Sequence, residues 1–141
     1  MKKIKVIYWS GTGNTEMMAK AVADGASSGG SVVELLDVSK ASADTVAQAD
    51  AVALGCSAMG AEVLEEGEME PFIESIKGVV SGKPIVLFGS YGWGDGEWMR
   101  DWETRCKEAG AVLICESVIC NEMPDDEGIQ SCKALGENLG Q

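Results

Sequence analysis

Five short apolar runs recur along the chain, at residues 4–9, 31–36, 50–55, 85–88 and 111–120. Each is separated from the next by a stretch with helical periodicity or helix-forming composition. Runs of this kind, bounded by glycine and proline, read as strands buried on both faces. Between them, residues 16–25 carry Met18, Ala21 and Val22 at helical spacing, and residues 70–80 carry Phe72, Ile73 and Ile76. Residues 96–109 form a helix ended by Gly110, and residues 125–139 form another after Pro124. Residues 37–48 are polar and alanine-rich, and read as one irregular helix. Strict strand–helix alternation implies a parallel sheet with helices on both faces. The expected architecture is one doubly wound α/β domain over residues 1–141, with no repeats or linkers.

Composition narrows the partners. The 141 residues are 45% hydrophobic and 24% charged, the balance of a globular domain. A net charge of −12 disfavours nucleic acid and anionic membranes, and favours a basic protein partner. Without a membrane-length apolar run or a signal-peptide pattern, a cytoplasmic location is expected. The chain has no histidine, which removes the usual general base, the serine triad and most zinc sites. Its five cysteines form no C-x-x-C pair, so a redox dithiol or a ferredoxin-type cluster is not indicated. They read as small buried hydrophobes.

In doubly wound sheets ligands sit at the carboxyl ends of the strands, where strand order reverses. The loops after strands one, three and four are all distinctive. The first is Ser10-Gly11-Thr12-Gly13-Asn14-Thr15, running directly into a helix N-terminus. Unpaired backbone N–H groups and the helix dipole favour an anion there. The loop lacks the lysine of a nucleoside triphosphate loop. Glu16 stands where the dinucleotide fingerprint needs its third glycine. What remains, three hydroxyls and one amide, suits a single terminal phosphate held by neutral donors.

The loop after strand three is long and contains Ser57, Ala58, Met59, Gly60, Ala61 and Glu62. Connections of that length are more often functional than not. Its Met59-Gly60 step reads as a tight turn. The loop after strand four is Gly89-Ser90-Tyr91-Gly92-Trp93-Gly94-Asp95-Gly96. Its Tyr91 and Trp93 offer flat rings to a planar ligand, with glycines that let the backbone approach closely. Trp98 and Trp102, four apart on the next helix, read as core.

These three segments together resemble flavodoxins, in particular the short-chain type from anaerobic bacteria such as clostridia. The similarity covers essentially the whole chain, including Glu70-Pro71-Phe72 and Asn121-Glu122. It implies a flavodoxin-like five-stranded sheet in the order 2-1-3-4-5, noncovalently bound FMN, and one-electron transfer between redox partner proteins by a monomeric carrier. By position, residues 10–15 would hold the phosphate, helped by Ser57 and Ser90. Met59 and Trp93 would sandwich the ring, Gly60 would turn its carbonyl toward flavin N5 through a peptide flip, and Glu62 would accept from N3. Ala58 belongs to the same turn segment. Backbone groups of Gly92, Gly94 and Asp95 would meet the pyrimidine edge, and Asn121 the ribityl chain. Position 61 is Ala where some relatives carry an acid.

Residues 41–76 contain no Lys or Arg but eight acids: Asp44, Asp50, Glu62, Glu65, Glu66, Glu68, Glu70 and Glu74. An acidic rim disfavours an anionic reduced flavin. One carboxylate about 10 Å away costs about 0.4 to 0.8 kcal/mol at an effective dielectric of roughly 40 to 80. That corresponds to a few tens of millivolts per charge. The alternative is an FMN-dependent NAD(P)H oxidoreductase of the same fold, which needs a second nucleotide site that no remaining segment offers. A receiver-type signalling module would need paired acids after strand one and a lysine after strand five; Ser10-Gly11 and Asn121-Glu122 supply neither.

Overall fold

The computed structural model describes residues 2–11, 13–58, 64–92, 94 and 96–141. Strands β1 (Lys3–Trp9), β2 (Val32–Asp37), β3 (Ala51–Cys56), β4 (Pro84–Tyr91), β5 (Val112–Leu113) and β6 (Val118–Asn121) form one sheet. Helices α1 (Asn14–Ser27), α2 (Ala43–Ala47), α3 (Met69–Ile76), α4 (Glu97–Glu108) and α5 (Asp126–Leu139) alternate with them. The order is β2-β1-β3-β4-β5 with every pairing parallel, and β6 also pairs with β4. The expected architecture and strand order are present.

Alternate residues of each strand feed opposite faces, and the core splits accordingly. Ile7, Leu54 and Leu87 lie on one face under α3 and α4, with Phe72, Ile73, Trp98 and Trp102. Ile4, Val6, Ala53, Val86 and Phe88 lie on the other, with Met18 and Val22 of α1 and Leu135 and Leu139 of α5. Trp98 and Trp102 are core, as the helical spacing indicates. Close approach of α1 and α5 depends on glycine. A Cβ on Gly25 would lie 2.0 Å from the Lys133 carbonyl oxygen, and one on Gly136 would lie 2.0 Å from that of Val22.

Three elements differ from their sequence reading. The stretch 37–48 is a 3-10 turn, Val38–Lys40, followed by the short α2. Asp37 accepts from the Ser39 N–H at 2.9 Å, and Ser42 and Thr45 form a reciprocal cap, so two initiation signals divide what composition joins. The helix expected over 70–80 stops at Ile76. The fifth strand is interrupted between Leu113 and Val118, where the Ser117 hydroxyl donates to Glu103 of α4 at 2.7 Å. That side-chain bond ties the interruption to α4, and the two pieces pair with different parts of β4.

The registers bring the functional loops to one edge. Trp9 lies beside Cys56, Gly55 beside Phe88, and Tyr91 beside Asn121. Each strand therefore ends within a residue or two of its neighbours at the same level.

Candidate cofactor site

The segment between β1 and α1 is shaped by two features of its sequence. Gly13 takes φ 94° as the residue preceding α1, a left-handed conformation that side chains disfavour. Its N–H donates to Ser10 Oγ at 3.0 Å, which closes the loop on itself. The first helical bond runs from Met17 N–H to the Gly13 carbonyl at 3.0 Å. The backbone N–H groups that precede Met17 in the helix therefore have no intrahelical acceptor.

Behind that N-terminus lies a cluster of three hydroxyls drawn from three loops. Thr15 Oγ1 is 2.7 Å from Ser57 Oγ and 3.0 Å from Ser90 Oγ, and the two serines are 3.2 Å apart. The Ser90 N–H donates to Thr15 Oγ1 at 3.3 Å. Thr15 and Ser90 are the buried polar side chains of the described chain, at 0% and 4% exposure. The Ala58 N–H donates to the Ser90 carbonyl at 2.9 Å and locks the start of the β3 loop to the end of β4. Hydroxyls of this kind can rotate their protons toward an incoming anion without any fixed charge.

Beside the cluster opens a cavity of about 620 Å³, a size typical of small-molecule sites. Trp9, Gly11, Asn14, Ser57, Ala58, Ser90, Tyr91, Gly92, Glu122 and Met123 line it. No Lys or Arg does so among the described residues. The Trp9 ring packs against Gly11, where a Cβ would lie 3.0 Å from the indole edge. At Gly92 a Cβ would meet nothing within 4 Å, so backbone there is open to the cavity. The Tyr91 ring packs on Trp98 with centroids 5.6 Å apart at 46°.

Most sequence-derived candidates among the described residues thus converge. Gly11, Asn14, Ser57, Ala58, Ser90, Tyr91 and Gly92 line the cavity, while Ser10, Gly13 and Thr15 brace the end beside the α1 N-terminus. Gly94 is exposed and left-handed, with φ 90°. Thr12, Met59, Gly60, Ala61, Glu62, Trp93 and Asp95 lie outside the described residues. Asn121 is not among the residues that line the cavity. It is exposed, its amide donates to the Tyr91 carbonyl at 3.4 Å, and the next two residues line the cavity instead. Trp9, Glu122 and Met123 were not singled out by sequence reasoning. Trp9 reads as the end of a strand, Glu122 enters only as part of the Asn121-Glu122 pair without a role of its own, and no motif marks Met123.

The cysteines take no part. Cys56 is wholly buried beside the site and its Sγ donates to the Ser57 carbonyl at 3.3 Å. Burial pushes its thiol up to about 12, far from a reactive thiolate. Burial likewise raises Cys106 to about 11 and Cys132 to about 12.

Several acids of residues 41–76 have structural work. Glu65 accepts backbone N–H bonds from Gly67 and Glu68 at 2.7 Å each and from Met69 at 3.0 Å, at the start of α3. Partial burial raises its carboxyl, but those three donors outweigh it and hold the group below its ordinary value. Glu70 takes a bidentate pair from Arg105 at 2.8 and 2.5 Å, and Glu74 bonds Lys77 at 2.8 Å. Asp50 accepts from the Lys3 N–H at 2.8 Å. Glu70 and Glu74 are thus offset by cations, whereas Glu65 and Asp50 keep their negative charge and are held by backbone donors.

The chemistry of this donor set fits a flavin monophosphate. A dianion finds a helix N-terminus and neutral hydroxyls, and a flat group finds an aromatic-lined, glycine-opened cavity. The comparisons agree. The family model described as Flavodoxin matches residues 6–136. The chain is 49% identical to a flavodoxin of Clostridium beijerinckii over 136 residues, covering 96% of this chain and 98% of that one. It is 44% identical to the Megasphaera elsdenii flavodoxin, covering 95% and 96%. The solution structure of two-electron reduced Megasphaera elsdenii flavodoxin matches with a TM-score of 0.90, over 97% of this chain and 98% of that one. A 131-residue family match together with near-complete coverage of full-length relatives leaves one conclusion: the chain belongs to the flavodoxin family, small electron carriers that use FMN.

Proposed function

We propose that residues 1–141 act as a single-domain, monomeric, low-potential carrier in the cytoplasm, passing electrons between enzymes that present basic docking surfaces. Bound FMN supplies the redox chemistry, and the protein supplies orientation and electrostatics. The observation that carries the reading is the Thr15–Ser57–Ser90 hydroxyl cluster behind the α1 N-terminus, with no cation among the described residues of the cavity wall.

Ser10, Gly11, Thr12, Gly13, Asn14 and Thr15 wrap the phosphate, and Ser57 and Ser90 complete its donors. Met59 and Trp93 would flank the ring, with Ala58 leading into the same turn. Gly60 offers its carbonyl near flavin N5, and Glu62 accepts from N3. Tyr91 stays packed on Trp98 and so holds the following backbone, Gly92, Gly94 and Asp95, against the pyrimidine edge. Asn121, paired with Tyr91 at the end of β6, would reach the ribityl chain.

Among the described residues, Glu66 and Glu68 before α3 and Glu122, Asp126 and Glu127 after β6 form no ion pair; Glu122 lines the cavity, and Asp126 and Glu127 open α5 close after it. Lys3 and Lys83, at the starts of β1 and β4, and Lys107, in the last turn of α4, lie away from Glu122 and the α5 N-terminus. That separation would turn the cofactor end toward a cationic partner during encounter.

The test is titration of the apo-protein with FMN and with riboflavin. FMN should bind with a flavin visible spectrum, and riboflavin much more weakly, because it lacks the group that the hydroxyls hold. Equal affinity would remove the phosphate assignment. Mixing the holoprotein with NAD(P)H alone should leave the flavin oxidised; rapid bleaching would favour the oxidoreductase alternative.

A further inference from the structure

One wall of the cavity is unlike the rest. Glu122 is the only described non-glycine residue with a positive φ, 55°. Its N–H donates to the Tyr91 carbonyl at 2.7 Å, immediately beyond the last β4–β6 register pair, Tyr91 and Asn121. The left-handed step comes at that point, and both Glu122 and Met123 then line the cavity. Pro124 follows and is buried, which restricts Met123 to extended backbone. A bent residue and a stiffened one in succession make a fixed projection rather than a loose tip. Met123 is 66% exposed, the largest exposure among the described large hydrophobics. An apolar, adaptable side chain so placed is uncovered on one side and borders an apolar cavity on the other.

We propose that the Glu122–Met123 turn is a further cofactor-holding segment. Met123 covers the flavin and ribityl portion of bound FMN, and the left-handed backbone of Glu122 positions it. The inference rests on the reading of this cavity as the FMN site. Non-glycine residues are rarely left-handed, and such conformations cluster at binding sites where the surroundings over-determine them. Asparagine tolerates this conformation, whereas a β-branched residue does not.

The test measures FMN and riboflavin affinities of the apo-protein by flavin fluorescence, with thermal unfolding of each apo variant as a check on folding. Met123→Ala should weaken both ligands by the same factor, about tenfold, the loss expected when part of one methionine contact is removed. Met123→Leu should stay near the parent. Glu122→Asn and Glu122→Val remove the same charge, so their difference reads the backbone alone. The asparagine variant should bind as well as the parent or better, and the valine variant should resemble Met123→Ala. An unchanged affinity in Met123→Ala, or a loss confined to FMN, would overturn the contact. Equal affinities for the two Glu122 variants would overturn the positioning role. Failure of the parent protein to bind FMN at all would instead overturn the site reading on which the inference stands.

Discussion

The hydroxyls of Thr15 and Ser57, 42 residues apart in sequence, lie 2.7 Å from each other at the N-terminus of α1. Thr15 is wholly buried, and its Oγ1 also receives the Ser90 backbone N–H. Replacing it with valine keeps the volume but removes the atom that joins three loops. FMN affinity should fall by about tenfold to a hundredfold, the effect of losing one or two hydrogen bonds in a site that binds charge. Riboflavin affinity should change little. Parallel fluorescence titrations with the two ligands check the difference.

The contact between α1 and α5 gives a prediction about stability alone. Gly136 lies in the middle of α5, where alanine would ordinarily improve a helix. Here the added Cβ would sit 2.0 Å from the Val22 carbonyl oxygen and 2.7 Å from the Ala26 nitrogen. Backbone cannot move aside as a side chain can. Gly136→Ala should therefore destabilise the apo-protein by about 1–3 kcal/mol, the usual range for overpacking. Urea unfolding measures it, and a gain in stability would show that the helices can separate freely.

Such contacts explain what could be read from sequence. Strands β1 to β4 announce themselves because they are short, apolar and bounded by glycine or proline. Trp98 and Trp102 follow from helical spacing. The phosphate end was legible because its hydroxyls and glycines stand together at a strand-to-helix junction. The cavity wall after β6 was not. Nothing about Glu122 marks it as left-handed, since glycine is the usual occupant of that conformation, and the resemblance points to Asn121 instead. The split of the fifth strand was hidden for a similar reason. It is tied down by Ser117 and Glu103, a pair that only the folded chain brings within 2.7 Å. Glu65 looked like one more rim charge until its three backbone donors were visible.

Glu65 carries a pH prediction. Its folded carboxyl is held below the ordinary value of 4.5 by the N–H groups of Gly67, Glu68 and Met69 against the opposing effect of burial. A depressed folded value means that the charged form is favoured by folding. Its contribution is complete above the unfolded value and is lost as pH falls from about 4.5 through the lower folded value. Glu65→Gln should lower the melting temperature at pH 7 and flatten its decline below pH 4.5. Glu65→Ala should cost about 1 kcal/mol or somewhat more, as for other lost helix-start caps. Thermal melts across pH 3 to 7 test both. Parallel acid limbs for Glu65→Gln and parent would assign the acid sensitivity to other carboxylates.

The last prediction concerns encounter with partners. If the cofactor end docks through its unpaired acids, electron transfer to a basic partner should slow as salt rises, because exposed charges are screened beyond about 10 Å at 0.1 M ionic strength. The structure sharpens which acids matter. Glu65 is held by backbone, and Glu70 is held by Arg105 through two bonds. Neutralising Glu66 and Glu68 together should lower the salt dependence and the low-salt rate, whereas Glu70→Gln should leave Arg105 its longer contact with Glu74, 3.5 Å, and act mainly on stability. Stopped-flow reduction of a cationic acceptor protein at several ionic strengths separates the two. A rate that ignores salt, or that responds to Glu70→Gln as strongly as to the double variant with folding intact, would mean that docking does not use this rim.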